Sequence, residues 1–253
     1  MALFKKDAFG NRLIIKRILI LLFGSVAFYR FLRVNTTKVT GWEVLHKLPK
    51  TNVLFVSNHQ TYFMDVFLLY IAISAARNGQ SNLKPLWYIL NPVLNFYYVA
   101  AIETMKGGLL PKLMAKTGAV MIKRTWREKG KEINRKVSMK DLTNIFTALG
   151  EGWVVTFPQG TTKPYAKGRK GTAHIIKQTR PVVVPVNLDG FRKAFNKSGM
   201  KMKMKGTELT VHFKEPMDID YDKPAEEILE DIMVEIKQSE DFKPDLSREL
   251  VKN

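Results

Sequence analysis

The sequence predicts an α/β domain: a mainly parallel central sheet flanked by helices, preceded by an apolar, membrane-associated helix near the N-terminus. Three observations point there. Strand-like and helix-like segments alternate through the middle of the chain, the pattern of a parallel sheet with helical crossovers. The strand candidates are apolar at successive positions rather than alternate ones, as strands buried on both faces are. With 253 residues and 45% hydrophobic side chains, the chain can build one domain with a sizeable core.

Residues 18–29 read ILILLFGSVAFY, with Lys16 and Arg17 before them and Arg30 and Arg33 after. The run is shorter than the roughly 20 residues a simple span needs. A signal peptide has an apolar region of this kind, but Arg30-Phe31-Leu32-Arg33 follows rather than a small-residue cleavage site. A core helix is a second reading, since buried helices carry such runs too. The reading adopted is a helix that dips into one leaflet. Its basic flanks lie on anionic headgroups, with Phe23, Phe28, Tyr29 and Phe31 near the interface. The chain then divides into residues 1–34, a basic and apolar anchor helix, and residues 35–253, one globular domain without internal repeats.

Within that domain residues 35–49 form a polar connector containing Gly41-Trp42, and residues 52–57 a short buried strand. Residues 64–77 are a largely apolar helix stopped by Asn78-Gly79. Residues 86–90 read as a second strand, and the aromatic stretch 92–102 as a segment either buried or at the membrane. Gly107-Gly108 opens a helix that Gly118 stops, and residues 119–123 are a strand. From 132 to 149, Ile133, Val137, Leu142, Ile145, Phe146 and Leu149 recur mostly at three- and four-residue steps, which predicts an amphipathic helix. A strand at 153–157, a helix at 171–178 and strands at 182–188 and 208–213 follow. The last helix begins at Asp222-Lys223-Pro224 and carries a stripe of Ile228, Leu229, Ile232, Met233 and Ile236.

Charge narrows the partners. The chain carries +18 at pH 7, from 41 Lys and Arg against 23 Asp and Glu. Such a surface attracts polyanions: an anionic bilayer, nucleic acid, or phosphate- and CoA-bearing substrates. A merely soluble basic protein is the plain alternative. No zinc-finger or RNA-binding sheet motif accompanies the charge, so nucleic acid is not expected as a partner. The apolar N-terminal run selects an anionic membrane surface instead. There is no cysteine, which excludes a thiol nucleophile, a zinc–cysteine site and disulfides. Residues 112–140 hold ten Lys or Arg against Glu128 and Glu132 and suit an anionic lipid surface. The KMKMK run at 201–205 reads as a basic surface loop.

Of the four histidines, His46, His59, His174 and His212, only His59 follows a strand end and opens a loop into an apolar helix. Strand C-terminal ends are where α/β sheets place ligands. Asp65 lies six residues on, near the helix start, where an isolated Asp is usually a cap or a dipole partner. Paired with His59, it would orient a general base.

The motif is longer than the pair. Asn58-His59-Gln60-Thr61-Tyr62-Phe63-Met64-Asp65 resembles the first motif of the glycerolipid acyltransferases of the lysophosphatidate type. That family has Asn-His, four residues, then Asp; here five residues intervene. Gly118-Ala119-Val120-Met121-Ile122-Lys123-Arg124 resembles its second motif, which ends in a basic residue. Phe157-Pro158-Gln159-Gly160-Thr161-Thr162 resembles its third, Phe-Pro-Glu-Gly-Thr-Arg, and Val184-Pro185-Val186 its fourth. Four motifs in the family's order, between residues 53 and 188, are far more specific than one.

The resemblance implies an acyltransferase domain over 35–253. It would move a fatty acyl group from acyl-CoA or acyl-carrier protein to a lysolipid hydroxyl in membrane phospholipid synthesis, in the leading case 1-acylglycerol-3-phosphate to phosphatidate. His59 would be the base, since a neutral imidazole can take the alcohol proton near pH 7. Asp65 would fix its tautomer and stabilise the imidazolium. The acceptor alcohol is itself the nucleophile, so neither Cys nor a Gly-x-Ser-x-Gly elbow is required. The substrate-binding candidates are Asn58, Lys123, Arg124, Gln159, Gly160, Thr161 and Lys170, with Arg124 first by family position. Lys163 and Arg169 are further cations in basic loops. The Gly160-Thr161 turn would offer backbone N–H groups to the oxyanion. No metal and no cofactor is expected, the acyl donor being a co-substrate. The expected location is the cytoplasmic face of the inner membrane, peripheral or monotopic.

Three departures from the family pattern shape the expectation. The extra residue before Asp65 turns it by about 100° if it lies within the helix, and has no effect if the loop absorbs it. Gln159, where the family has Glu, keeps hydrogen bonding but loses a charge. Thr162, where the family has Arg, removes a fork-shaped phosphate donor. A lyso amino-acid lipid, with no phosphate to bind, is therefore an alternative acceptor, and a non-catalytic anionic-lipid-binding protein is the alternative from another class.

Overall fold

Residues 5–84, 87–123, 127–128, 131–132 and 138–244 are described by a computed structural model. The strands are β1 (Thr36–Thr40), β2 (Val53–Ser57), β3 (Phe96–Ala101), β4 (Ala119–Ile122), β5 (Arg127–Glu128), β6 (Lys131–Glu132), β7 (Trp153–Thr156), β8 (Val182–Asp189) and β9 (Glu208–Phe213). The helices are α1 (Leu13–Tyr29), α2 (Trp42–Lys47), α3 (Met64–Arg77), α4 (Trp87–Leu90), α5 (Ile102–Met105), α6 (Leu109–Ala115), α7 (Met139–Glu151), α8 (Gly171–Thr179), α9 (Phe191–Ala194) and α10 (Ala225–Glu235).

Seven strands form one sheet in the order β1-β9-β8-β2-β7-β3-β4, while β5 and β6 make a separate antiparallel ribbon. From β8 to β4 every pairing is parallel; β9 runs antiparallel to β8, and β1 lies parallel to β9. Central β2 shows why the strands are apolar throughout. Val53 and Phe55 join a core cluster with α1, α2 and α3, whereas Leu54 and Val56 join a second cluster with α7, α8 and α10. Side chains alternate across a strand, so covering both faces requires apolar residues at every position. Nearly every residue of α3 is buried, because α1, α2 and α4 close over the side facing away from the sheet.

The expected strand at 86–90 is instead a short helix: Trp87–Leu90 is one helical turn. A four-residue apolar run is too short for periodicity to separate the two. The true strand follows at Phe96–Ala101. Its Tyr97 and Tyr98 are buried because their hydroxyls find partners, Tyr97 donating to Glu151 and Tyr98 to the Met114 carbonyl at 2.6 Å. The connector 35–49 contains β1 and α2. The amphipathic helix begins at Met139 rather than 132, Glu132 lying in the ribbon.

The N-terminal helix is not set apart from the body. Ile20, Ala27 and Phe31 belong to the same core cluster as α3. Phe31 is fully buried between Phe191 and Phe195 and so is not interfacial, while Phe23 is half-buried beside Phe67. Lys16, expected among headgroups, is 0% exposed; its ammonium lies 3.6 Å from Asp7 and over the Tyr97 ring. The outer face of α1 does carry exposed Ile15, Ile18, Leu22, Val26 and Tyr29. Among the described residues no helix is long and apolar enough to cross a membrane.

Candidate active site

The site forms where central β2 ends. Asn58 leaves the strand and pairs both ends of its amide with the Leu188 backbone on neighbouring β8, each bond 2.8 Å. Gln60 reaches the same corner, donating to the Leu188 carbonyl and to Asp189 while its Oε1 accepts from the Phe191 and Arg192 backbone N–H groups. His59, between these two anchors, is held from both sides.

Asp65 sits in the first turn of α3, 0% exposed. It accepts from the backbone N–H groups of Gln60 and Thr61 and, at 2.6 Å, from the Thr61 hydroxyl. A buried carboxylate is tolerated when this well hydrogen-bonded. His59 Nδ1 lies 3.0 Å from Asp65 Oδ2. An ionised carboxylate can only accept, so Nδ1 carries the proton and Nε2 the lone pair. The imidazole stacks on Phe157, centroids 3.9 Å apart and rings 20° from parallel, which fixes its plane. Nε2 has no hydrogen-bond partner among the described residues, and His59, 13% exposed, lines a cavity of about 440 Å³. Val66, Tyr98, Met105, Ile122, Ile145 and Ile175 give that cavity apolar walls. Lys123, Arg169 and Lys170 bring cations to it, and Asp141, which accepts from the Lys123 backbone at 2.8 Å, brings a carboxylate. The arrangement is an oriented base facing a largely apolar chamber with cationic walls, suited to removing a proton from an amphipathic alcohol.

A family model described as Acyltransferase matches residues 36–189, more than half of the chain. The chain belongs to the acyltransferase family. In fold it is similar to the crystal structure of the 1-acyl-sn-glycerophosphate (LPA) acyltransferase, PlsC, from Thermotoga maritima. The TM-score is 0.54 at 20% identity, over 94% of this chain and 80% of that one. No curated protein matches the chain.

The family's first motif is thus assembled here in spite of its longer spacer. α3 starts only at Met64, so the loop takes up the additional residue and Asp65 still meets the ring. Lys123, Gly160, Thr161 and Lys170 all line the cavity; Lys170 is exposed and paired with Glu226. The Gly160 N–H closes a turn on the Phe157 carbonyl at 2.8 Å, so it is not free for an oxyanion, while the Thr161 N–H just after it makes no hydrogen bond among the described residues. Asn58 and Gln159 do something other than line the cavity. Asn58 ties β2 to β8. Gln159, 1% exposed, donates to the Ala166 carbonyl and to Gln238, bracing the loop that follows the third motif. Arg124 lies outside the described residues. Sequence reasoning missed Gln60, the Thr61 hydroxyl, Phe157 as a stacking partner, Asp141 and Arg192. Thr61 and Phe157 lay inside quoted motifs; for Arg192, more than 130 residues from His59, no local signal existed.

Proposed function

We propose that this chain is a membrane-lipid O-acyltransferase that moves a fatty acyl group from acyl-CoA or acyl-carrier protein to a lysolipid hydroxyl, with 1-acylglycerol-3-phosphate as the leading acceptor and phosphatidate as product. The observation that carries this reading is the His59 Nδ1–Asp65 contact of 3.0 Å beside an apolar cavity. Nε2 takes the acceptor hydroxyl proton as the oxygen attacks the thioester carbonyl. The tetrahedral oxyanion collapses, the C–S bond breaks, and the departing thiolate recovers that proton from Nε2. Asp65 stays ionised throughout and stabilises the imidazolium between the two transfers. The Thr161 N–H supports the oxyanion, and the apolar walls take the acyl chain. Lys123, Arg169 and Lys170 suit the phosphates of donor or acceptor. No cofactor takes part in these steps. The fold shared with PlsC, a 1-acyl-sn-glycerophosphate (LPA) acyltransferase, supports the acceptor class. Thr162, with no guanidinium to offer, favours a lyso amino-acid lipid as a second acceptor class. The exposed apolar face of α1 supports peripheral attachment to a membrane, for which the cytoplasmic face of the inner membrane is our proposed location.

Purified protein given labelled acyl-CoA or acyl-carrier protein and a panel of lysolipids should esterify at least one of them. Folded wild type that acylates none of the panel while still binding lipid vesicles would point to a non-catalytic lipid-binding protein instead.

A further inference from the structure

We propose that Arg192 is a positioning residue for the base: its guanidinium ties the His59 loop to the loop of the third motif. β8 ends at Asp189, and Gly190 turns the chain with φ +85° so closely against β9 that a Cβ would sit 2.0 Å from the Glu208 carbonyl oxygen. Only glycine fits such a turn. The turn brings the first residues of α9 back over the His59 loop, where Gln60 Oε1 holds the Phe191 and Arg192 N–H groups at 2.9 and 3.2 Å. From there Arg192 Nη2 donates to the His59 carbonyl at 3.1 Å and to the Thr162 carbonyl at 2.5 Å. One planar nitrogen thus joins two loops that otherwise belong to different strand ends, β2 and β7.

The two segments it joins are the two that depart from the family pattern. One is the loop with an additional residue, and the other ends in Thr162 where the family has Arg. A longer loop has more ways to carry its histidine, and a guanidinium bonded to its carbonyl removes them. Arg192 does not line the cavity, so it acts through His59 rather than on substrate.

The proposal rests on His59 being the base, and its test separates the two claims. Arg192→Ala is compared with wild type in two ways: steady-state acyl transfer, and carbethoxylation of each histidine by diethylpyrocarbonate followed by peptide mass mapping. The expected result is a kcat lower by about 10- to 100-fold, as for a misplaced catalytic group, with KM little changed. Added guanidinium ion should restore part of it. His59 should be modified several-fold faster than in wild type, with His46, His174 and His212 unaltered. Unchanged kcat and unchanged His59 labelling would overturn the proposal. So would a rise in KM alone, which would make Arg192 a substrate contact, or equal acceleration at all four histidines, which would mean general loosening. If Arg192→Ala does not fold, Arg192→Gln, which retains an N–H donor, is judged by the same criteria. If wild type turns over no acceptor, the proposed function fails while His59 labelling still decides the role of Arg192.

Discussion

The imidazole of His59 has little freedom left. Asp65 holds one ring nitrogen, Phe157 holds the plane, and Asn58 and Gln60 hold the backbone on either side. His59→Ala removes the proton acceptor and should lower kcat by about two or more orders of magnitude, the usual contribution of a general base. Asp65→Asn is the sharper test. The amide must turn its NH₂ either toward the Thr61 N–H and hydroxyl, which face Oδ1, or toward the ring and the Gln60 N–H, which share Oδ2. In the second case Nδ1 becomes the acceptor and the proton moves to Nε2, the wrong tautomer for a base. Steady-state assays of Asp65→Asn should show a loss of about two to four orders of magnitude, and urea titration a loss of roughly 1–3 kcal/mol from the broken network. Full activity in this variant would mean that Asp65 only caps α3. The pair was legible in the sequence because six positions separate base and orienter inside one motif. Its supports were legible only in part. Thr61 is within the motif, but Leu188 and Arg192 come from a strand end that meets His59 only after the parallel sheet has formed.

Elements were readable where one physical rule dominated. β2 announced itself by unbroken apolarity and α3 by near-complete apolarity, as burial on nearly all sides demands. α4 and β3 did not, because short aromatic runs serve either state and tertiary partners decide. The apolar core and basic flanks of the N-terminal helix point to an anchor, yet Lys16 faces inward. Its burial has a measurable consequence. Desolvation lowers the Lys16 pKa from the ordinary 10.5 to about 8, opposed by Asp7 and Glu151. Between those values the folded state binds fewer protons than the unfolded chain, so stability rises with pH across the interval and is indifferent to this group below it. Urea unfolding of wild type and Lys16→Met over pH 7 to about 10.5 isolates the effect. Relative to the variant, wild type should gain stability above about pH 8, with a slope no steeper than about 1.4 kcal/mol per pH unit and roughly 3 kcal/mol in all at most. A difference independent of pH would show that Lys16 titrates as an ordinary surface lysine.

At the scale of the whole molecule, the exposed apolar face of α1 and the basic loop after α9 are tied together at the end of the helix. Ile15, Ile18, Leu22, Val26 and Tyr29 are three or four residues apart and exposed, so they line one face of the helix. At the far end of α1, Arg30 donates to the Met200 carbonyl and the Gly206 N–H to Val34, fastening residues 196–206 beside it. That loop presents Lys197, Lys201, Lys203 and Lys205 to solvent, and its Lys197 carbonyl accepts the N–H of Tyr62, which lines the cavity beside His59. Apolar side chains flanked by lysines match a bilayer interface carrying anionic headgroups, whereas an acidic protein partner would use the lysines and leave the apolar stripe in water. Sedimentation with vesicles of phosphatidylcholine and phosphatidylglycerol should therefore capture the protein. Pure phosphatidylcholine should capture much less, and raising salt from about 0.1 to 0.5 M should release part of it by screening. Leu22→Ser with Val26→Ser should weaken binding by about tenfold or more, since each side chain buried in the interface is worth on the order of 1 kcal/mol or more. Because both positions are exposed, the melting temperature should stay near that of wild type. Equal capture of this variant would place the membrane contact elsewhere on the basic surface.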